Sequence, residues 1–135
     1  MSNRIFINLP VADLNASIAF YEAIGFKNNP QFTDETAAGM AWSDAINVML
    51  LTHDKWRQFT PRPIPPADSS EVMLALSMDS RESVDAMIEA TATAGGTADV
   101  NPLQDLGFMY GRALADLDGH IWEAFWMDMT AIPAQ

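Results

Sequence analysis

The predicted elements of this chain occur twice in the same order, and this repeat limits the fold more than any other feature. The stretch RIFINLPV alternates apolar side chains as a strand does. LNASIAFYEAI then has apolar residues at helical spacing, with Asp13 as the predicted N-cap and Gly25 as the predicted stop. Three strands are predicted after this helix, in KNNPQF, AGMAWS and AINVMLLTH.

A proline-rich connector, residues 54–70, is predicted to contain no helix or strand, and the order begins again after it. EVMLALSM is predicted to be a strand, and ESVDAMIEATATA a helix with Ser80 as its N-cap. Three more strands are predicted, in TADV, GFMYGRALAD and HIWEAFWMD. Two units are too few for a solenoid. The sequence therefore predicts one α+β domain, residues 1–135, in which two tandem βαβββ modules (1–53 and 71–135) form a half-open barrel-like sheet with a concave pocket.

The charge of the chain excludes several classes of partner. It has 7 basic and 18 acidic side chains and a net charge of −11. This field repels phosphate backbones and anionic lipids, so neither nucleic acid nor membrane partners are expected. The chain contains no cysteine and hence no thiolate for zinc, and its N-terminus has neither a signal-peptide core nor a spanning segment. A cytoplasmic location is the resulting expectation.

The two ends of the chain resemble a known superfamily. The opening INLPVADLNASIAFYEAIGF and the close DLDGHIWEAFWMD are similar to the vicinal oxygen chelate superfamily, which includes glyoxalase I, bleomycin and fosfomycin resistance proteins and extradiol dioxygenases. The resemblance covers nearly the whole chain. It implies a small-molecule ligand, and its metal-binding members take one ligand from each of four strands, the last being a glutamate that matches Glu123. Because similar members pair, and because an open sheet leaves edges and an apolar pocket mouth uncovered, a homodimer is expected.

The other three positions that this resemblance assigns to metal ligands carry Phe6, Leu50 and Met73 here. None of these side chains donates oxygen or nitrogen, and a thioether is a poor ligand for zinc, magnesium or iron(II). A register shifted by one residue offers Asn8, Thr52 and Ala75, which is little better. The prediction is therefore no metal and no other cofactor, and the alternative is a divalent metal held through Glu123.

His120 and Glu123, three residues apart, would share one face of a helix but lie on opposite faces of a strand. HIWEAFW is aromatic and β-branched and follows a turn, so a strand is predicted and the two side chains do not bind one ion together. His53 is interpreted as a solvated histidine at a strand end. The DLDG sequence lacks the spacing of a calcium loop and is interpreted as a turn.

What remains is an apolar pocket with one carboxylate, Glu123, the candidate catalytic residue. An apolar wall favours the protonated form of an unpaired carboxylate, which can make such a group a general base. Phe6, Val48, Leu50, Met73, Ile121 and Phe125 are predicted to lie in phase with Glu123. The alternative is a structural ion pair between Glu123 and Arg112. The predicted substrate-binding residues are Phe6, Asn8, Leu50, Thr52, Met73, Tyr110, Arg112 and Phe125.

Two classes of function stay open at this point. The first is a metal-independent protein that binds a small, partly apolar molecule in the pocket between the modules, either to sequester it or to transform it with Glu123 as base. The second is a metal-dependent lyase, similar to lactoylglutathione lyase, or a dioxygenase, with an atypical ligand set from Glu123, His53 or His120 and a partner subunit. The ligand chemistry favours the first.

Overall fold

The structure, a computed structural model, describes residues 3–131, so the last four residues of the predicted second module lie outside the described part. The chain divides into two compact units, Met1–Ser69 and Ser70–Gln135, called module one and module two below. Each contains a sheet with a helix packed on it, which confirms the predicted α+β class and the two modules. In the described residues, no helix is both long enough and apolar enough to cross a membrane.

Module one has a four-stranded sheet in the order β1-β4-β3-β2. Strand β1 runs parallel to β4, and the other neighbours are antiparallel. Its elements are β1 (Ile5–Val11), α1 (Leu14–Ala23), β2 (Lys27–Asn29), a 3₁₀ turn (Pro30–Phe32), β3 (Ala37–Ala41), β4 (Ile46–Thr52) and α2 (His53–Phe59).

The ends of α1 form as predicted. The Asp13 carboxylate accepts a hydrogen bond from the backbone N–H of Ala16 at 3.1 Å, which satisfies one of the free amides of the first turn. Gly25 follows the last turn with φ +119°, a conformation that favours glycine. The helix buries Phe20 and Tyr21 completely, and it packs on β3 and β4.

The predicted phase of the module one strands is wrong. Phe6 pairs with Asn47, whereas Leu9 pairs with Leu50, so Phe6 and Leu50 lie on opposite faces of the sheet. Leu50 is fully buried and belongs to the helix-covered core, while Phe6 is 44% exposed. The reason is that residues 48–51 of this strand, VMLL, are all apolar, so they offer no alternation from which the face of each residue can be predicted.

The first part of the predicted connector belongs to a helix, α2, which was not predicted because the segment is rich in proline. The hydroxyl of Thr52 accepts from the backbone N–H of Lys55 at 3.2 Å and caps α2. His53 is therefore the first residue of α2 and not the end of a strand. Residues 60–72 contain no helix or strand, as predicted for most of this segment.

Module two has a sheet in the order β5-β9-β8-β6, with β7 also pairing with β8. The β5–β9 pair is parallel and the other pairs are antiparallel. The short strand β7 was not predicted, since two residues give no periodicity. The elements of module two are β5 (Met73–Ser77), α3 (Arg81–Thr93), β6 (Thr97–Ala98), β7 (Gln104–Asp105), β8 (Met109–Ala115) and β9 (Ile121–Met127).

Two predicted local features of module two are present. The Ser80 hydroxyl accepts from the backbone N–H of Ser83 at 3.0 Å and caps α3. In DLDG, the buried Asp116 carboxylate accepts from the backbone N–H groups of Asp118 and His120, each at 2.9 Å. Gly119 has φ +89°. This sequence is therefore a turn with a positive φ at its glycine, as predicted, and the Asp116 carboxylate holds the turn.

The two faces of the module two sheet have different surroundings. Leu114 pairs with Trp122, and both are buried on the side on which α3 packs. Glu123 is one residue out of phase with them and lies on the opposite side. We call this opposite side the open face; its strand residues are Met73, Ala75, Ser77, Met109, Gly111, Ala113, Ala115, Ile121, Glu123, Phe125 and Met127.

Candidate ligand-binding site

A cavity of about 430 Å³ lies on the open face of module two. This volume is within the range of small-molecule sites, roughly 300–1,000 Å³. Four side chains supply most of its apolar wall: Met73, Met109, Phe125 and Met127. Methionine side chains are flexible and polarisable and adapt to ligands of different shape.

Small side chains around Glu123 create the space above the sheet. Glu123 pairs with Ala75 on β5 and with Ala113 on β8, so an alanine lies beside it on each neighbouring strand. The next row of the sheet contains Gly111, paired with Phe125. Because its neighbours on the adjacent strands are alanines, the Glu123 side chain projects from the sheet into the cavity and is not enclosed by the side chains beside it.

Glu123 is the one carboxylate among the described residues that line this cavity. It is partly buried. No hydrogen bond or ion pair joins its side chain to any residue between 3 and 131. The cavity therefore combines an apolar wall with a carboxylate that accepts no hydrogen bond from the described residues.

The alternative ion pair between Glu123 and Arg112 does not form in this structure. Arg112 pairs with Ala124 and directs its guanidinium to the α3 side. Its Nε and Nη2 donate to the Asp99 carboxylate at 2.9 and 2.6 Å, and its Nη1 donates to Asp85 at 2.9 Å. Hydrogen bonding to Asp99, with a further contribution from Asp85, raises the pKa of Arg112 above its usual value. Arg112 borders the cavity, but its charge is engaged elsewhere.

Tyr110 also lies on the α3 side and does not line the cavity. Its hydroxyl donates to Asp85 at 2.6 Å, and this hydrogen bond raises the pKa of Tyr110 and lowers that of Asp85. The guanidinium of Arg81 stacks over the Tyr110 ring at 4.8 Å and over the Trp126 ring at 5.4 Å. Tyr110 is therefore part of a polar network between α3 and the sheet.

Of the other predicted site residues, Met73 and Phe125 share the open face and the cavity with Glu123. Phe6 and Asn8 lie in module one, on the face of its sheet opposite to the core, where the Phe6 ring meets Phe32 edge to face at 6.2 Å. The remaining two predicted residues have structural roles. Leu50 is in the module one core, and Thr52 caps α2.

Two polar residues that line the cavity were not predicted, and neither were Met109 and Met127 of its apolar wall. Asn101 and Gln104 come from the segment between β6 and β8, where NPLQD has no periodicity that would indicate its course. The Asn101 amide nitrogen lies 3.5 Å from the sulfur of Met73. Arg81 was missed as well: it donates to the Asp105 carboxylate at 3.0 and 2.8 Å and lowers the pKa of Asp105 to about 2.

The residues of module two do not fit a metal site. On the open face, the neighbours of Glu123 are alanines, and the next potential donors are the Met73 thioether and the amides of Asn101 and Gln104. His120 is out of phase with Glu123, and His53 lies in module one. No group of three or more histidine, cysteine, aspartate or glutamate side chains arranged to hold an ion occurs within residues 3–131.

Comparisons with known proteins agree with this architecture. Residues 4–43 match the family model described as bleomycin resistance protein-like N-terminal. A hypothetical protein from S. aureus is 28% identical over 93% of this chain and 94% of that chain, with a TM-score of 0.78. The family-model match supports the resemblance to the vicinal oxygen chelate superfamily, which includes bleomycin resistance proteins. No curated protein matches the sequence.

More distant structures of the superfamily show the same fold. A glyoxalase/bleomycin resistance protein/dioxygenase family enzyme from Burkholderia phytofirmans PsJN is 17% identical, with a TM-score of 0.75 and coverage of 93% of this chain and 99% of that one. The fosfomycin resistance protein FosX from Listeria monocytogenes is 18% identical, with a TM-score of 0.68 and coverage of 96% and 97%. At this identity the likeness concerns the fold and not the ligand.

Proposed function

We propose that this vicinal oxygen chelate protein binds a small, partly apolar molecule in the module two cavity and uses Glu123 as its polar anchor. Where the molecule is transformed, Glu123 is the proposed general base. One observation carries the proposal: within residues 3–131, the Glu123 side chain has no hydrogen-bonding or ionic partner, yet it stands in an apolar cavity.

The argument rests on the free energy of a partly buried carboxylate. Removing a charged group from water is unfavourable unless hydrogen bonds or an opposite charge compensate. The one cationic residue among the described residues that line the cavity, Arg112, is engaged by Asp99 and Asp85. A partly buried charged group that lines a cavity and has no structural partner is a candidate for function, and a ligand donor would supply the missing interaction.

The chemistry of the cavity defines the class of ligand. Met73, Met109, Phe125 and Met127 favour an apolar body. A carboxylate accepts hydrogen bonds and attracts positive charge, so the ligand should carry an N–H, an O–H or an ammonium group. If the ligand reacts, the proton that Glu123 removes comes from this group or from a carbon beside it.

The alternative, a metal-dependent lyase or dioxygenase, has less support from the side chains. It needs ligands that complement Glu123, and on the open face of module two Met73 supplies a thioether where an imidazole or a carboxylate is required.

A fluorescent probe tests the proposal directly. N-phenyl-1-naphthylamine is apolar, carries one N–H and becomes brighter in an apolar site. We expect saturable binding to the wild-type protein and weaker binding to Glu123→Gln. The loss should be about five- to tenfold, because a hydrogen bond to a charged group contributes roughly 1 kcal/mol more than one to a neutral group. Glu123→Leu should lose at least as much.

The matched control is Glu89→Gln, which removes the same charge from an exposed position on α3. It should bind the probe within about twofold of wild type, since a distant exposed charge has little effect in salt. The proposal fails if the wild-type protein shows no saturable binding, or if Glu123→Gln and Glu89→Gln behave alike.

A further inference from the structure

Residues 99–107, which we call the strap, run along the β8 edge of the module two sheet, and the middle of the strap extends over the open face. The Val100 N–H donates to the carbonyl of Ala113 at 3.2 Å, and Gln104 pairs with Gly111. From Val100 to Gln104 the strap advances by four residues, whereas the facing part of β8, from Ala113 to Gly111, advances by only two. Residues 101–103 therefore bulge out of the sheet. Asn101 then contacts Met73, which lies on β5, two strands away from β8. The strap thus spans the cavity.

Both ends of the strap are held on the other side of the sheet by arginines. Asp99 accepts two hydrogen bonds from Arg112, which also binds Asp85 on α3. Asp105 accepts two from Arg81, which belongs to α3 itself and also donates to the carbonyl of Gly107 at 3.1 Å. Planar two-point pairing of this kind fixes orientation as well as distance. The chain turns sharply at both ends, with φ +53° at Asp99 and +83° at Gly107.

The side-chain amide N–H of Asn101 lies at the cavity, and its acceptor in this structure is a weak one. Its amide nitrogen contacts the Met73 sulfur at 3.5 Å, and a thioether accepts hydrogen bonds poorly. A carbonyl or hydroxyl oxygen would be a much better partner. The side chain lines the cavity and is partly exposed, so a bound molecule can reach it.

We propose that the strap completes the ligand site. Asn101 donates its amide N–H to an oxygen of the bound molecule, and Arg81 and Arg112 are positioning residues that hold the strap where this contact forms. This inference rests on the proposed function of the same cavity. It narrows the ligand to an apolar molecule with two polar groups, a donor that meets Glu123 and a carbonyl or hydroxyl oxygen that meets Asn101.

Two probes of similar size separate the contributions of Asn101 and Glu123. 6-Propionyl-2-dimethylaminonaphthalene has a carbonyl acceptor and no N–H donor, whereas N-phenyl-1-naphthylamine has the donor and no carbonyl. Asn101→Ala should weaken binding of the carbonyl probe about three- to tenfold, the effect of one hydrogen bond. It should change binding of the amine probe by less than about twofold. Equal effects on both probes, or no effect on either, would overturn the role of Asn101.

The positioning role is tested with Arg81→Met and Asp105→Asn, which break the same contact from its two sides. Both variants should bind the carbonyl probe more weakly and bind the amine probe nearly as well as wild type. Both should also speed hydrogen exchange at the Val100 amide. Arg57→Met is the matched control, since Arg57 forms an exposed pair with Asp54 in module one. If exchange at Val100 speeds up while binding of the carbonyl probe stays the same, the Arg81–Asp105 contact is structural only and the positioning role is wrong.

The outcomes also distinguish this inference from the proposed function. If neither probe binds the wild-type protein, both proposals fail. If both probes bind and Glu123→Gln weakens only the amine probe, the cavity and its anchor are supported. The result for Asn101→Ala with the carbonyl probe then decides the inference alone.

Discussion

Arg112 and Glu123 lie on opposite faces of one sheet, because Arg112 pairs with Ala124 and Glu123 pairs with Ala113, one residue apart on both strands. This register separates the two charges that the sequence brings close together. The arginine interacts with aspartates on the α3 side, and the glutamate stands alone, among described residues, on the open face. The structural alternative, in which Glu123 forms an ion pair with Arg112, is therefore absent from this structure.

The first prediction is that Glu123 and Arg112 are energetically independent. Glu123→Gln should leave the free energy of unfolding unchanged or raise it, because a partly desolvated charge is removed. Arg112→Met should lower it by about 1–2 kcal/mol, a value reduced from that of a buried pair because Asp85 and Asp99 are partly exposed. The double variant should equal the sum of the two within roughly 0.5 kcal/mol in urea melts. A double variant that recovers most of the loss would mean that the two charges interact.

The second prediction concerns pH and the Arg81–Asp105 contact. Hydrogen bonding to Arg81 lowers the pKa of Asp105 from 3.8 to about 2. Since the folded-state pKa is the lower one, the stabilisation is present above about pH 4 and is lost as the pH falls toward about 2. The urea midpoint of Asp105→Asn should lie below that of wild type at neutral pH, and the difference should shrink steadily below about pH 4. A difference that is constant from neutral pH to about pH 2.5 would contradict the assignment.

A third prediction is that first-row metals do not bind tightly. Purified, untagged protein should carry much less than one equivalent of zinc, nickel, manganese or iron by inductively coupled plasma mass spectrometry. An ion at a hundredfold excess over its Kd would stabilise the native state by about 2.7 kcal/mol, which raises Tm by several degrees. We expect no such rise. Stoichiometric metal with a matching rise in Tm would instead favour the lyase or dioxygenase alternative.

The fourth prediction is a homodimer. The chain has a mass of 14.8 kDa, and Phe6 and Phe32 expose 44% and 47% of their surface as a ring pair on module one. Covering exposed apolar surface stabilises an assembly, and most soluble oligomers are symmetric dimers. Sedimentation at micromolar concentration should give about twice the chain mass, and Phe6→Ser should shift the equilibrium toward monomer. A wild-type protein that sediments as a single chain would rule the dimer out.

The sequence predicts the elements well where its pattern has one interpretation. Asp13, Ser80 and Gly25 occupy positions for which few residue types are suited, and each has the predicted role. The face of a strand is predictable in the same way only where apolar and polar residues alternate. HIWEAFWM has a polar residue, Glu123, that fixes its phase, whereas the uniform apolar run in β4 gave the wrong face for Leu50.

The candidate site was predictable only in part, because half of its polar groups depend on contacts between distant segments. Glu123, Met73 and Phe125 were identified from strand phase and the family resemblance. Asn101 lines the cavity because the strap crosses the sheet, and that course follows from arginine–aspartate pairs 13 and 24 residues apart in the chain. No local pattern in NPLQD encodes those pairings.

The central claim is that a ligand occupies the module two cavity and meets Glu123, and the methyl groups of methionine report on this directly. With ¹³C-methyl methionine labelling, adding N-phenyl-1-naphthylamine should shift the signals of Met73, Met109 and Met127, which line the cavity. The signals of Met40 and Met87, which belong to the buried cores, should not move. In Glu123→Leu, the same shifts should need about tenfold more probe. Shifts that are confined to other methionines, or that are identical in Glu123→Leu, would contradict the account.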